Sequence, residues 1–250
     1  MADALPTEVA MPGGKPIEVL AVLDGDSLEA EVDGAVEEIR LLGINTPERQ
    51  ECWSAEARTA TAALVEAGTT TLVSEGRDQY GRLLGYVGAG EVFVNARLVS
   101  EGHAMALAND HTFIDEFLSF EQAAFDAQAG MWAPDACGHP LGTGMHIDRL
   151  DGDPSGRDDD PATGESIRIR NDGGATVYLE GWAIRDESSV HRYRFPVHTM
   201  LDPGETVTVY SVCGHHEYCF GPDTVWSNDG DTALLMDPSG NIVDRVRFAG

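Results

Sequence analysis

The stretch from Ile39 to Arg49, IRLLGINTPER, sets an arginine and a glutamate on either side of a sharp turn. Upstream, DGDS places the carboxylates of Asp24 and Asp26 and the hydroxyl of Ser27 on one tight turn. The later turn offers Asn45, the Thr46 carbonyl and Glu48, with Pro47 restricting the backbone between them. If the two turns adjoin, they form an oxygen-lined pocket, and hard oxygen donors suit Ca²⁺. Arg40 leads into that pocket, and Arg82 follows a second tight turn, DQYG. Two guanidinium forks converging on carboxylates match a doubly contacted phosphate. The chemistry such a set would support is attack on a phosphodiester.

Short elements must carry these residues. Ile17 to Leu23, the alternating SLEAEV from Ser27 to Val32, and Val36 to Leu42 read as three strands, with Asp33-Gly34 as a hairpin turn between the last two. The period then changes. Ser54 is placed to cap a helix running to about Ala67, with Ala57, Ala60, Leu64 and Val65 inward and Gly68 ending it. Thr69 to Ser74 and Leu83 to Val87 read as strands, and Val94 to Glu101 as a short helix closed by Gly102. Phe113, Phe117, Phe120 and Ala124 recur at helical spacing as core positions, and Gly130 stops that helix. Beyond a segment rich in Gly, Pro and Asp, every run alternates at period two: SIRIRN, TVYLEGWAI, HRYRF, TVTVYSV, TALLMD and NIVDRVRF. MHIDRL is a further candidate strand at its start. Regular turns between short strands predict a β-sandwich.

Composition limits the function classes. The chain has 250 residues and a formal net charge of −27, from 43 acidic and 16 basic residues, and its one lysine is Lys15. Acid excess with almost no lysine resembles proteins of extreme halophiles, and most of these acids are expected to be solvated surface. No apolar run reaches the ~18 residues of a membrane span. The N-terminal MADALPTEVAMPGGKP lacks the basic and apolar regions of a secretory signal. Cys213 and Cys219 bracket GHHEY closely enough to pair. The rival is a metal set with His215 and His216, but that spacing is not a usual zinc pattern and favours the disulfide.

Five segments in order, DGDS, IRLLGINTPE with the helix at SAEA, DQYGRLLGYV, VNARLVSEGHA and AGMW, resemble the staphylococcal-nuclease-like family, or thermonucleases, over about Pro16 to Trp132. The resemblance implies an OB-fold barrel with three helices, a DNA or RNA phosphodiester substrate, and Ca²⁺. It implies that Arg40 and Arg82 hold phosphate and stabilise the transition state, that Glu48 is the general base, and that Tyr80 lies near a terminal phosphate. Asp26 and the Thr46 carbonyl would be metal ligands, with Asp24 in the outer shell. The family usually has aspartate where this chain has Asn45; an amide oxygen still ligates Ca²⁺ but removes one charge. HAMALANDH lacks the tyrosines that flank the nucleotide in the member defining the fold. Cysteines at Cys52 and Cys137 resemble a staple found in related nucleases, and two bridges suggest an exported protein, extracellular or at the cell surface.

From about Met145 to Gly250 the chain resembles the lamin-tail domain, an immunoglobulin-like sandwich, on ESIRIRNDGGATVYLEGWAIRD, YRFP, LDPGETVTVY and WSNDGDTALLMDPSGNIVDRV, with Trp182 and Trp226 as core anchors. The halophilic archaeal type of this pair is the expectation. The domains read as a flexible 1–15, a nuclease-like 16–138, a linker 139–144 and a sandwich 145–250. The function expected is a Ca²⁺-dependent, monomeric endonuclease with an envelope- or surface-tethering domain. The alternatives are a catalytically weakened OB-fold module that binds nucleic acid or protein, and a surface adhesion protein.

Overall fold

Turn chemistry and alternation build the first sheet. We analysed a computed structural model that describes residues 9–109, 111–160, 163–188 and 190–249. The chain divides into two units, residues 1–136 and 137–250. In the first, the elements run β1 (Lys15–Pro16), β2 (Glu18–Val22), β3 (Ser27–Val32), β4 (Ala35–Leu41), β5 (Ile44–Asn45), α1 (Ser54–Val65), β6 (Thr70–Arg77), β7 (Leu83–Ala89), β8 (Val92–Phe93), α2 (Val94–Ser100), β9 (Met105–Ala106) and α3 (Ile114–Asp126). Asp33 and Gly34 both take positive φ, which the two-residue hairpin between β3 and β4 requires. The sheet order is β1-β6-β7-β4-β3-β2, with β8 also on β7, and β5 pairs separately with β9. These strands and three helices form the OB-fold barrel of the nuclease-like type.

The register positions the charged groups. Ser27 lies opposite Arg40 across the β3–β4 pair. β4 and β7 run parallel with Arg40 opposite Leu84. Arg82 immediately precedes β7 and reaches Glu38, which lies two residues before Arg40 and so on the same face of β4. The opposite face packs the core through Leu28, Ile39, Leu41 and Val87, and Leu98 of α2, Phe117 of α3 and Tyr86 are buried in the same core. Phe113 meets Tyr86 edge-on at 4.9 Å between ring centroids, and the helical phenylalanines are core as expected.

Three boundaries of α1 and α3 differ from the expectation. Ser54 is the first helical residue, not the cap. Trp53 holds the cap position with φ 70° and no side-chain bond to the helix. Helix α1 also stops at Val65, short of Ala67, and α3 stops at Asp126, before Gly130. Gln128, with φ 52°, turns the chain earlier than the glycine that sequence singles out. The fully buried positions of α1 are Ala57, Thr61 and Val65, while Ala60 and Leu64 are partly buried against the core.

The second unit holds β10 (Met145–Asp151), β11 (Ser166–Asn171), β12 (Val177–Tyr178), β13 (Ala183–Arg185), β14 (Arg192–Arg194), β15 (Met200–Leu201), β16 (Thr206–Val212), β17 (Cys219–Gly221), β18 (Gly230–Met236) and β19 (Ile242–Ala249). MHIDRL is therefore a strand. Two four-stranded sheets, β10-β11-β16-β17 and β14-β13-β18-β19, and the β12–β15 ribbon make the immunoglobulin-like sandwich. Along β11, Ile167 and Ile169 point inward, while Arg168 and Arg170 reach Asp148 and Asp172 outside. Trp182 and Trp226 are buried in this core. Strand β18 departs from alternation, because all of its residues are buried. It is an inner strand between β13 and β19, and both of its faces are covered.

Cys213 and Cys219 are joined to each other, which overturns the metal reading of that loop. Cys52 and Cys137 are also disulfide-bonded, and no cysteine is free. Among the described residues no helix is long and apolar enough to cross a membrane.

Candidate active site

Asp26 sits where the two turns meet. Its Oδ2 accepts the Thr46 backbone N–H at 2.7 Å and the Thr46 hydroxyl at 3.0 Å, and Arg40 Nη2 lies 3.2 Å away. Its Oδ1 takes the Ser27 hydroxyl at 3.2 Å. Gly25 makes this approach feasible, since a Cβ there would stand 2.7 Å from Thr46 Oγ1. Thr61 braces the same turn from inside α1, donating its hydroxyl to the Gly25 carbonyl at 2.5 Å. Asp24 Oδ1 accepts the Asp26 N–H at 3.1 Å and closes the loop on itself. Thr61 is absent from the sequence-derived set. Its signal was a hydroxyl on the buried stripe of a helix, one turn after Ala57.

Asn45 is buried, and its Oδ1 accepts a hydrogen bond from Arg40 Nη2 at 2.9 Å. Arg40 Nη1 donates to the Leu41 carbonyl at 2.8 Å. The guanidinium thus bridges Asn45 and Asp26 in one fixed orientation. Glu48 is exposed, and its backbone N–H donates to Glu51 at 2.9 Å. Arg82 is held by Asp78 at 2.7 Å and lies 3.8 Å from Glu38, the residue two before Arg40 on β4. Tyr80 is 77% exposed, and the Arg82 guanidinium carbon stands 5.7 Å from its ring centroid.

Electrostatics ties these groups to one site. Burial pushes the Asp26 carboxyl above its ordinary value and the Asp24 charge adds to the shift, while Arg40 and the Thr46 hydrogen bonds oppose it. Partial loss of hydration beside the turns raises Glu48 although its side chain stays open to solvent, helped by the charges of Asp26, Asp24 and Glu51 against the pull of Arg40. Burial works to lower Arg82, but the bond to Asp78 and the charges of Asp78, Glu38 and Asp26 raise it overall. Arg40 and Asp26 are each among the influences on Glu48, and Asp26 among those on Arg82. The site carries more carboxylate than its arginines neutralise.

That excess fits a hard cation. Among the described residues no group of three or more His, Cys, Asp and Glu side chains could hold a metal ion. A cation here would therefore draw on Asp26 Oδ1, Asn45, the Thr46 carbonyl and water, an all-oxygen set of the kind Ca²⁺ takes.

A family profile described as Staphylococcal nuclease homologue matches residues 38–134. Protein ParB of Escherichia coli is 31% identical over 126 residues, covering 46% of this chain and 71% of that protein. The chain belongs to the staphylococcal nuclease homologues. Residues 142–250 of this homologue match the Lamin Tail Domain. An uncharacterized endonuclease of Escherichia coli O157:H7 is 32% identical over 117 residues, 46% of this chain and 75% of its own length. The probable staphylococcal-like nuclease CAN4 of Oryza sativa subsp. japonica is 34% identical over 98 residues, 39% of this chain but 20% of the rice protein. The first unit of this nuclease homologue is thus nuclease-like in sequence as well as in fold.

Proposed function

We propose that the first unit is a Ca²⁺-dependent endonuclease that hydrolyses phosphodiester bonds of DNA or RNA. The observation that supports it is the contact of Arg40 with both Asp26 and Asn45 where two turns abut, with Glu48 on the second turn and Arg82 reaching Glu38 two residues before Arg40 on β4. Arg40 and Arg82 grip the phosphate oxygens and stabilise the charge that builds on them in the transition state, a contribution worth roughly 10²–10³ in rate per donor group. Glu48 takes the proton of the attacking water, worth roughly 10²–10⁴. The new bond joins water oxygen to phosphorus, and the bond to the departing 5′ oxygen breaks, that oxygen taking a proton from solvent to leave as the hydroxyl. Tyr80 lies beside Arg82, where a terminal phosphate is held. Asp26, Asn45 and the Thr46 carbonyl would hold Ca²⁺, and Asp24 would act on it from behind them. Bound there, the ion would supply Lewis-acid stabilisation and a template for phosphate and water.

The second unit serves as a tether to envelope or cell surface, and the protein works extracellularly as a monomer. Two disulfides are compatible with that location. A second reading, a nucleic-acid-binding module with weakened catalysis, is favoured by Asn45, whose amide oxygen is engaged by Arg40.

Plasmid digestion at graded Ca²⁺, with a chelator control, tests the proposal. Wild type should nick DNA only with Ca²⁺, and Arg40→Ala and Glu48→Gln should each lose at least about 10²-fold in rate. Binding without cleavage supports the second reading. Ca²⁺-dependent cleavage that both variants retain in full sinks the assigned roles.

A further inference from the structure

The cations of the first unit divide into two groups. Residues 1–136 hold 24 acidic and 7 basic residues. Lys15, Arg40, Arg77, Arg82 and Arg97 each lie within 4.0 Å of a carboxylate, on Asp33, Asp26, Glu37, Asp78 and Glu101 respectively. Among the described residues, Arg49 and Arg58 have no such partner. In a unit this rich in acid, two arginines spared from carboxylates are a departure that asks for a ligand.

Both are held at the same place. Arg58 Nε donates to the Val22 carbonyl at 3.0 Å, and Arg49 Nη2 donates to the next carbonyl, Leu23, at 3.3 Å. Each bond fixes a guanidinium while using one of its five N–H donors. The two arginines line an open concavity of roughly 600 Å³ together with Asp24, Ser54, Ala55 and Thr59. Ser54 and Ala55 open helix α1, whose start has no side-chain cap. The first N–H groups of a helix lack intrahelical acceptors and carry partial positive charge. The concavity therefore sets two guanidinium groups beside the positive end of α1.

Its position continues the active site. Asp24 belongs both to the concavity and to the turn under Asp26, and Arg49 directly follows Glu48. We propose that this concavity is a phosphate track, in which Arg49 and Arg58 bind backbone phosphates of a polynucleotide strand flanking the scissile bond. The proposal rests on the nuclease reading for its substrate, and it assigns the homologue a preference for extended strands over dinucleotides.

The test compares wild type with the double variant Arg49→Gln/Arg58→Gln, and uses Arg97→Gln as a control for net charge. Binding of a labelled single-stranded oligonucleotide is followed by fluorescence anisotropy against salt, in chelator so that no cleavage intrudes. Each phosphate contact contributes about 0.7 to the slope of log K on log salt for single strands, so the double variant should lose about 1.4. In Ca²⁺, the ratio of kcat/KM for the oligonucleotide to that for a dinucleotide should fall about tenfold. Arg97→Gln should move neither quantity. A slope and ratio equal to wild type, an equal effect from Arg97→Gln, or no binding by wild type overturns the track. If wild type binds but cleaves neither substrate, the nuclease reading fails on its own and the slope still decides the track.

Discussion

At the scale of single residues, Asn45 is the informative departure. Its amide oxygen serves Arg40, where a carboxylate would bring a negative charge beside Asp26. Ligand charge count is one determinant of Ca²⁺ affinity. Asn45→Asp is therefore expected to lower the Ca²⁺ concentration for half-maximal cleavage by about tenfold, equivalent to about 1.4 kcal/mol. Titration of nicking rate with Ca²⁺ measures it. A higher Ca²⁺ requirement together with a raised KM would show instead that the new carboxylate had captured the Arg40 guanidinium.

At the scale of elements, the DGDS turn, the Thr46 turn and helix α1 lock one another through Gly25, Thr46 and Thr61. A methyl at position 25 would press on the buried Thr46 side chain, and that side chain is held by Asp26. Gly25→Ala should cost roughly 1–3 kcal/mol of stability by overpacking. Cleavage should fall well over tenfold at temperatures where the variant remains folded, because the turns carrying Asp26 and Asn45 move apart. Phe117→Ala, which empties a core site far from those turns in the chain, should cost more stability, about 3–5 kcal/mol, and less activity. Thermal unfolding run beside the cleavage assay separates the two effects. Equal activity losses at equal stability would deny the interlock any special role.

At the scale of the whole molecule, the net charge of −27 sets two opposed salt responses. Self-repulsion weakens as the Debye length shrinks from about 10 Å at 0.1 M to about 3 Å at 1 M. The thermal midpoint should rise by a few degrees over that range, while nucleic-acid affinity falls through counterion effects. Calorimetry and anisotropy on the same samples report both. A midpoint that falls with salt would mean that the paired surface charges, such as Arg77 with Glu37, outweigh the repulsion.

The positions of the longer strands, the Asp33-Gly34 hairpin, the aromatic stripe of α3 and the two-part organisation were all legible along the chain. These are local properties: backbone sterics fix which residues tolerate a turn, and one-sided burial fixes the period. Only the folded chain shows that Trp53 and not Ser54 holds the cap position of α1, that Thr61 braces the Gly25 turn, and that β18 is covered on both faces. It also decided which cations are taken. Arg49 and Arg77 read alike along the chain, yet Arg77 meets Glu37 across the sheet while Arg49 meets a backbone carbonyl. Charge pairing depends on distances between residues far apart in sequence, and those distances exist only once the barrel has closed.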